Sequence, residues 1–205
     1  MPDRSQAPVR QSTVLSNDQA TASVIDTLKS NEHLAEENPR EALDEMLAFL
    51  AARGPHALVL SRIAVLKQKL GEEDALSTAK EAAQLALSVG NLSAISETLA
   101  PFGEQWDAFE LEPEQWTKLA AVQRSTHHFE LAQRIYAYLL GEDPNYLRAV
   151  KGMLQLADDH LRRPETTEKA LRIYDQLQEL APQHPFEDYV EMGRELAARQ
   201  LEPSS

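Results

Sequence analysis

One spacing of small and large residues occurs twice in the second half of the chain and constrains the fold more than any other feature. In each copy a Leu-Ala pair precedes an alanine that is followed, 4, 7 and 12 residues later, by Tyr, Leu and Pro. The two alanines, Ala132 and Ala170, are 38 residues apart. The matched positions are Leu119, Ala120, Ala132, Tyr136, Leu139 and Pro144 in the first copy, and Leu156, Ala157, Ala170, Tyr174, Leu177 and Pro182 in the second. Such a period, with two helical patterns per unit, predicts a stack of helix hairpins.

The residue types in this pattern suit the packing of such a stack. Small residues such as Ala120 and Ala132 allow the two helices of a hairpin to approach closely, and large residues such as Trp116 and Tyr136 fill the space between hairpins. Proline then ends the second helix. A fainter copy begins at Ile63 upstream. In the last helix Leu196-Ala197 repeats the Leu-Ala pair, as a terminal capping helix would. The alternative is a non-repeating orthogonal bundle with chance alanine spacing.

These motifs resemble the tetratricopeptide repeat family, whose unit of about 34 residues reads W-x2-L-G-x2-Y, then A-x3-F, then P. The corresponding residues here are Trp116, Leu119, Ala120, Ala132, Tyr136 and Pro144. Gln123 stands where Tyr is usual, and in the second unit Met153 replaces the Trp and His160 the Tyr. The resemblance is good over 113–182, weak over 39–90 and absent over 91–112. It implies a right-handed superhelical array of antiparallel hairpins, an α-solenoid.

The remaining sequence favours an all-α fold. Ala, Leu, Glu and Gln are abundant, and runs of alternating β-branched and aromatic residues are lacking. We therefore predict about eight or nine helices and no sheet. The predicted organisation is a disordered tail over 1–21, a helical repeat domain over 22–200 and a second tail over 201–205. The domain comprises weak repeats over 22–90, an irregular insert over 91–112, clear repeats over 113–182 and a capping helix over 185–199.

The irregular insert concentrates aromatic residues in a short segment. Phe102, Trp106 and Phe109 follow one another around a Pro-Phe-Gly break. The segment is either a hydrophobic plug that covers the seam between two groups of hairpins, or an exposed loop that binds a partner.

Charge and composition restrict the classes of partner and compartment. The net charge is −13 and the isoelectric point about 4.9, which disfavours binding to phosphate backbones and therefore to nucleic acid. The charge serves solubility or a basic partner. Cysteine is absent, which excludes disulfides and thiolate chemistry. No apolar run reaches the ~18 residues that span a bilayer, and the first residues lack the apolar core of a secretory signal. We expect a cytoplasmic protein without direct membrane insertion.

The sequence carries no recognisable catalytic or cofactor motif. The seven glycines are too widely spaced for a dinucleotide or phosphate-binding loop. His127-His128 lies at the joint of the first clear hairpin, where exposed polar residues are expected, and His160 occupies an aromatic position of the repeat, where a packed, hydrogen-bonded imidazole is expected. Adjacent carboxylates such as Asp158-Asp159 diverge by about 100° on a helix, whereas acid–base catalysis needs convergent ones. We predict no enzyme activity, no metal site and no cofactor.

The resemblance also implies a binding surface. In tetratricopeptide proteins the first helices of the hairpins line a concave groove that holds a peptide. By position, the candidate groove residues are Thr117, Ala121 and Arg124 in one unit, and Lys151, Leu154, Asp158 and Leu161 in the next. The family's carboxylate clamp of Lys and Asn is not visible here. The expected partner is therefore another protein or peptide, with its identity and the oligomeric state left open.

Three functions remain compatible with these observations. The first is a non-catalytic scaffold or adaptor that binds a peptide segment in the groove. The second is a small acidic chaperone that shields an exported or aggregation-prone client. The third, a divergent enzyme or metal-binding helical protein, has the least support from the residues.

Overall fold

The computed structural model describes residues 17–99, 101–103 and 105–202, and in this part the chain is entirely helical, without strands. It contains ten α-helices, more than the eight or nine predicted. They are α1 (Asn17–Glu37), α2 (Pro39–Arg53), α3 (Ala57–Leu70), α4 (Ala75–Ser88), α5 (Ser93–Leu99), α6 (Pro113–Ser125), α7 (Phe129–Glu142), α8 (Leu147–Leu161), α9 (Thr167–Leu180) and α10 (Glu187–Leu201). Short 3-10 turns cover Trp106–Phe109 and Pro164–Thr166.

The two ends of the chain differ from the predicted tails. Helix α1 begins at Asn17, inside the stretch 1–21 that was expected to be disordered, and the rest of that stretch lies outside the described residues. At the other end α10 continues to Leu201, two residues beyond the predicted capping helix. Residues 203–205 also lie outside the described part. The first helix is therefore longer than its apolar pattern indicated, and the last is displaced by two residues towards the C-terminus.

Local sequence explains where several helices begin and end. Asn38 caps α2, with its Oδ1 accepting a hydrogen bond from the Glu41 amide, and Pro39 fills the first helical position. Gly71 ends α3 in the left-handed conformation, with a φ of 70°, which costs little without a Cβ. At α6 the amide of Glu112 donates to Gln115 Oε1 at 2.8 Å, so that the side chain closes the first turn.

Successive helices pack against each other, with a second set of contacts between alternate ones. Helix α6 contacts α7 and α8, α7 contacts α8 and α9, and α8 contacts α9 and α10. Consequently α6, α8 and α10 form one row and α7 and α9 another. Upstream, α3 contacts α4 and α5, and α5 contacts α6. This arrangement places alternate helices on a common face.

The small and large positions of the repeat lie in the core between these rows. The four alanines of the pattern are completely buried: Ala120, Ala132, Ala157 and Ala170. The large residues of the pattern are at most 4% exposed: Trp116, Leu119, Tyr136, Leu139, Leu156, Tyr174 and Leu177. Pro144 and Pro182 are exposed, just after α7 and α9 end. Each tyrosine rests on a glycine of the following first helix. A Cβ on Gly152 would overlap the Tyr136 ring, and one on Gly193 would lie 2.5 Å from Tyr174 Cζ.

The aromatic segment of the insert is a plug. Phe102, Trp106 and Phe109 are buried. The Trp106 ring lies 5.4 Å from the ring of Trp116 on α6, and its Nε1 donates to the Leu99 carbonyl at 2.9 Å. The segment therefore joins the upstream helices to the first clear hairpin, in agreement with the first of the two alternatives and not with an exposed loop.

Candidate binding face

The predicted groove residues lie on α6 and α8, two neighbouring helices of one row. Arg124 Nη1 on α6 lies 3.4 Å from Asp159 Oδ2 on α8, which links the two helices across this face. The Thr117 hydroxyl lies 3.2 Å from the Tyr146 hydroxyl and donates to the Pro113 carbonyl. Ala121 is exposed. The α6 half of the face is thus a shallow polar surface.

The α8 half includes one residue that is not available to a partner. Leu154 is only 7% exposed and belongs to the hydrophobic core, so its placement in the groove was wrong. Helix α8 contacts helices on several sides, and its buried stripe is wider than the repeat spacing indicated. Lys151 is exposed, and its Nζ lies 5.7 Å from the centre of the Phe186 ring. Asp158 and Leu161 are half-buried.

Asp158 and Leu161 line a cleft of about 430 Å³ between α8 and α10. The Asp158 carboxylate accepts hydrogen bonds from the Tyr174 hydroxyl at 3.0 Å and from the Tyr189 hydroxyl at 2.8 Å. Burial, and then the bond to Asp158, raises the pKa of Tyr174, and the same bond raises the pKa of Tyr189. Both phenols therefore remain protonated donors. One carboxylate thus connects α8, α9 and α10 at the base of the cleft.

Helix α10 presents an apolar stripe beside this cleft. Tyr189, Met192 and Leu196 are 43%, 64% and 48% exposed, and they follow one another at helical spacing on one side of the helix. The adjacent side of the helix, with Val190, Gly193 and Ala197, is buried. No other helix that the structure describes covers this stripe. Leu196 is thus exposed, although it repeats the Leu-Ala pair whose other leucines are buried.

Helix α10 carries more acidic than basic side chains. Arg194 is bound to Asp175 at 2.7 Å, and Arg199 lies 3.2 Å from Glu195. Asp188 and Glu191 are exposed on the same helix, and neither forms an ion pair with any residue that the structure describes. Arg194 and Arg199 of α10 are therefore each in an ion pair, whereas three of its carboxylates, Glu187, Asp188 and Glu191, are in none that the described residues form. We call Tyr189, Met192 and Leu196 with the adjoining cleft the α10 face.

The histidines lie elsewhere. His127 and His128 are exposed at the joint between α6 and α7, and His127 adopts a positive φ of 64°. His160 is buried, with its ring 5.0 Å from that of Phe129, but its Nδ1 has no hydrogen-bond partner among the described residues. Within the same residues no three His, Asp or Glu side chains form a cluster that could hold a metal ion. The expected packing of His160 is present, whereas the expected hydrogen bond is absent at Nδ1.

His160 should make stability depend on pH. Burial, assisted by Lys169 and Arg163 and opposed by Asp159 and Glu130, lowers the pKa of His160 in the folded chain. The unfolded chain, with a histidine pKa near ~6.5, therefore binds a proton first as the pH falls. We expect the neutral His160 to contribute fully to the free energy of unfolding above about pH 6.5. This contribution is lost as the pH falls from about 6.5 towards the lower pKa of His160 in the folded chain.

The measurement is chemical denaturation from pH 5 to pH 8 for the native chain and for His160→Phe. Taking the difference between the two removes contributions from carboxylates and from the half-buried His56, whose pKa is also lowered by burial. A difference that does not change with pH would show that His160 titrates normally in the folded state.

No family model, curated protein sequence or solved structure matches the chain. Among the described residues, no helix combines the length and apolar character needed to cross a membrane.

Proposed function

We propose that the protein is a non-catalytic scaffold that binds a segment of another protein along the row formed by α6, α8 and α10. On this proposal the hairpins form a right-handed superhelical array of the tetratricopeptide type, with the first helices on its concave side. The contacts between alternate helices and the buried small and large repeat positions support this arrangement. The polar groups at the base of the cleft are bonded to one another, which suits a fixed surface better than a reacting centre.

The uncovered stripe on α10 is the observation that carries this proposal. An amphipathic helix binds a groove through apolar anchors at i, i+3, i+4 and i+7, and the exposed apolar residues of α10 have a similar helical spacing of i, i+3 and i+7. Monomeric proteins seldom leave neighbouring large apolar side chains uncovered unless the surface binds something. The cleft between α8 and α10 adds depth beside the stripe, so that side chains of a bound segment can be partly enclosed.

Charge complementarity favours a cationic amphipathic helix as the occupant. Asp188 and Glu191 are free to pair with lysine or arginine of a partner, and the chain as a whole carries a net charge of −13. A second copy of the chain would place the same carboxylates opposite one another, which opposes association. A basic partner gains attraction at the same positions and faster association at low ionic strength.

A synthetic helical peptide tests the proposal directly. The probe is an 18-residue fluorescein-labelled peptide of leucine and lysine, with leucines at i, i+3, i+4 and i+7 along one face. We expect saturable binding by fluorescence anisotropy and a loss of at least about tenfold in affinity for Met192→Glu/Leu196→Glu. Each buried side chain contributes roughly 1.5–3 kcal/mol, and about 1.4 kcal/mol corresponds to tenfold.

Two controls separate the α10 face from general attraction between opposite charges. The control variant Leu47→Glu/Val89→Glu changes two exposed apolar residues elsewhere. It alters the net charge as much as Met192→Glu/Leu196→Glu does, so its affinity for the peptide should equal that of the native chain. A peptide of the same composition with its leucines scattered around the helix should bind far more weakly. Equal binding of both peptides would instead indicate a client-holding chaperone, and equal losses in both double variants would disprove the assignment of the face.

A further inference from the structure

Asp158 lies at the base of the cleft between α8 and α10, and its two bonded partners are neutral. The Tyr174 hydroxyl donates to Oδ1 at 3.0 Å, and the Tyr189 hydroxyl donates to Oδ2 at 2.8 Å. Among the residues that the structure describes, no lysine, arginine or histidine forms an ion pair with Asp158. The carboxylate is therefore hydrogen-bonded, but its negative charge has no counter-charge.

Two arginines near this part of α8 and α10 are held by other carboxylates. Arg162 follows Asp158 by one helical turn, and its Nη1 lies 3.8 Å from Asp159 Oδ1. Arg199 lines the cleft, and its Nη2 lies 3.2 Å from Glu195 Oε2. The counter-charge for Asp158 is thus left for a partner to supply.

The carboxylate of Asp158 is accessible from the cleft. Asp158 is half-buried and lines a space of about 430 Å³. Tyr189, which bonds to one of its oxygens, is itself 43% exposed. An ionised carboxylate has about four acceptor positions, and the two phenols occupy only two of them. A donor that enters the cleft can therefore still bond to Asp158.

The walls of the cleft suit the stem of a long cationic side chain. Leu161 of α8 lines it together with Met192 and Leu196 of α10. Lysine carries its ammonium group on a stem of four methylene groups, which can lie along apolar surface while the charge is held at the tip. An apolar side chain in the cleft would instead remove water from Asp158 without supplying a counter-charge, which is unfavourable.

We propose that the cleft between α8 and α10 receives one lysine side chain of the bound helix, and that its ammonium group pairs with Asp158. This lysine anchor rests on the binding function proposed for the α10 face, and it places one cation within the apolar face of the partner. Lysine suits the site better than arginine. The guanidinium fork bonds best to both carboxylate oxygens at once, whereas each oxygen of Asp158 already accepts from a phenol.

Two peptides that differ at one position isolate the contribution of the ammonium group. Each has 18 residues of leucine and arginine, an amino terminus blocked by fluorescein, and leucines at i, i+3, i+4 and i+7. Each of the central leucines is replaced in turn by lysine or by norleucine, which keeps the carbon stem and lacks the charge. At one position we expect the lysine peptide to bind the native chain at least about fivefold more tightly in fluorescence anisotropy.

Three variants test whether this preference comes from Asp158. Asp158→Asn keeps the shape and removes the charge, so the ratio of the two affinities should fall nearly to one. Asp44→Asn changes the net charge equally at an exposed position on α2 and should leave the ratio unchanged. Tyr189→Phe keeps the ring and frees Asp158 Oδ2, so the ratio should be at least as large as in the native chain. Circular dichroism checks the folding of each variant before titration.

Zero-length cross-linking tests the same contact in the native chain, so it does not depend on the folding of a variant. A carbodiimide joins an amine to a carboxylate that it touches, with the water that is lost taken up by the reagent. The single lysine is the only amine of the peptide. We expect mass spectrometry to locate the cross-link on Asp158 for the preferred lysine position. Cross-links confined to other carboxylates would contradict the anchor.

The affinities also separate the lysine anchor from the α10 face. Equal binding of the lysine and norleucine peptides at every position would disprove the anchor and leave the α10 face intact. A lysine preference that persists in Asp158→Asn would show that another carboxylate attracts the ammonium group. Absence of saturable binding by all of the peptides would overturn the anchor and the α10 face together.

Discussion

Replacing Trp116 with alanine is expected to lower the free energy of unfolding by about 3–5 kcal/mol, the range for deleting a large aromatic side chain from a core. Trp116 is almost completely buried, and its ring lies 5.4 Å from the rings of both Trp106 and Tyr138. Tyr138 is in turn hydrogen-bonded to Asp107 at 2.7 Å. Removal of the indole therefore leaves a cavity at the seam between the insert and the α6–α7 hairpin. Urea denaturation followed by far-ultraviolet circular dichroism measures the loss.

Val89→Ala is the matched control for this variant. Val89 is 63% exposed just after α4, so shortening it should change the free energy of unfolding by less than about 0.5 kcal/mol. A loss below about 1 kcal/mol for Trp116→Ala would contradict the description of the aromatic segment as a plug that ties the two parts of the array together.

Gly152→Ala is the second substitution with a large expected effect, although alanine is the better helix former. The new methyl group would overlap the ring of Tyr136, which is itself almost completely buried. We expect a net loss of about 1–3 kcal/mol from overpacking, in spite of a gain near 1 kcal/mol from helix propensity. The measurement is again the free energy of unfolding in urea.

Gly141, on the neighbouring helix α7, provides the opposite outcome. It is exposed near the end of α7, and a Cβ there meets no atom within 4 Å. Gly141→Ala should therefore stabilise the chain by up to about 1 kcal/mol. In a Tyr136→Ala background, the loss caused by Gly152→Ala should disappear, since the ring that it strikes is gone. If Gly152→Ala is as stabilising as Gly141→Ala, the close packing of tyrosine on glycine is incorrect.

Much of the helical order in the second half of the chain could be predicted from the sequence. Prolines and glycines at helix ends act through neighbouring backbone atoms, so the end of a helix can be predicted from a few residues of sequence. The buried positions of the repeat could also be predicted, because a small alanine is needed wherever two helices approach closely. The full length of helix α1 could not be predicted, since its apolar stripe over residues 23–34 is shorter than the helix itself.

The contacts that depend on helix rotation could not be predicted. Leu154 was placed in the groove by counting residues along α8, but the rotation of α8 against its neighbours turns this position inward. The packing of Tyr136 on Gly152 depends on the distance between two hairpins, which single-residue spacing does not encode. The exposure of Leu196 depends on whether a further helix covers α10, whereas its Leu-Ala pair matches buried ones. For the same reason the α10 face was missed.

The carboxylate of Asp158 on α8 connects three helices, α8, α9 and α10. It is bonded to Tyr174 of α9, whose ring lies on Gly193, and to Tyr189 of α10, whose ring is part of the exposed stripe. Tyr189 on the exposed stripe and Tyr174 in the core therefore share one carboxylate, so the surface of α10 is directly connected to the contact between α8, α9 and α10.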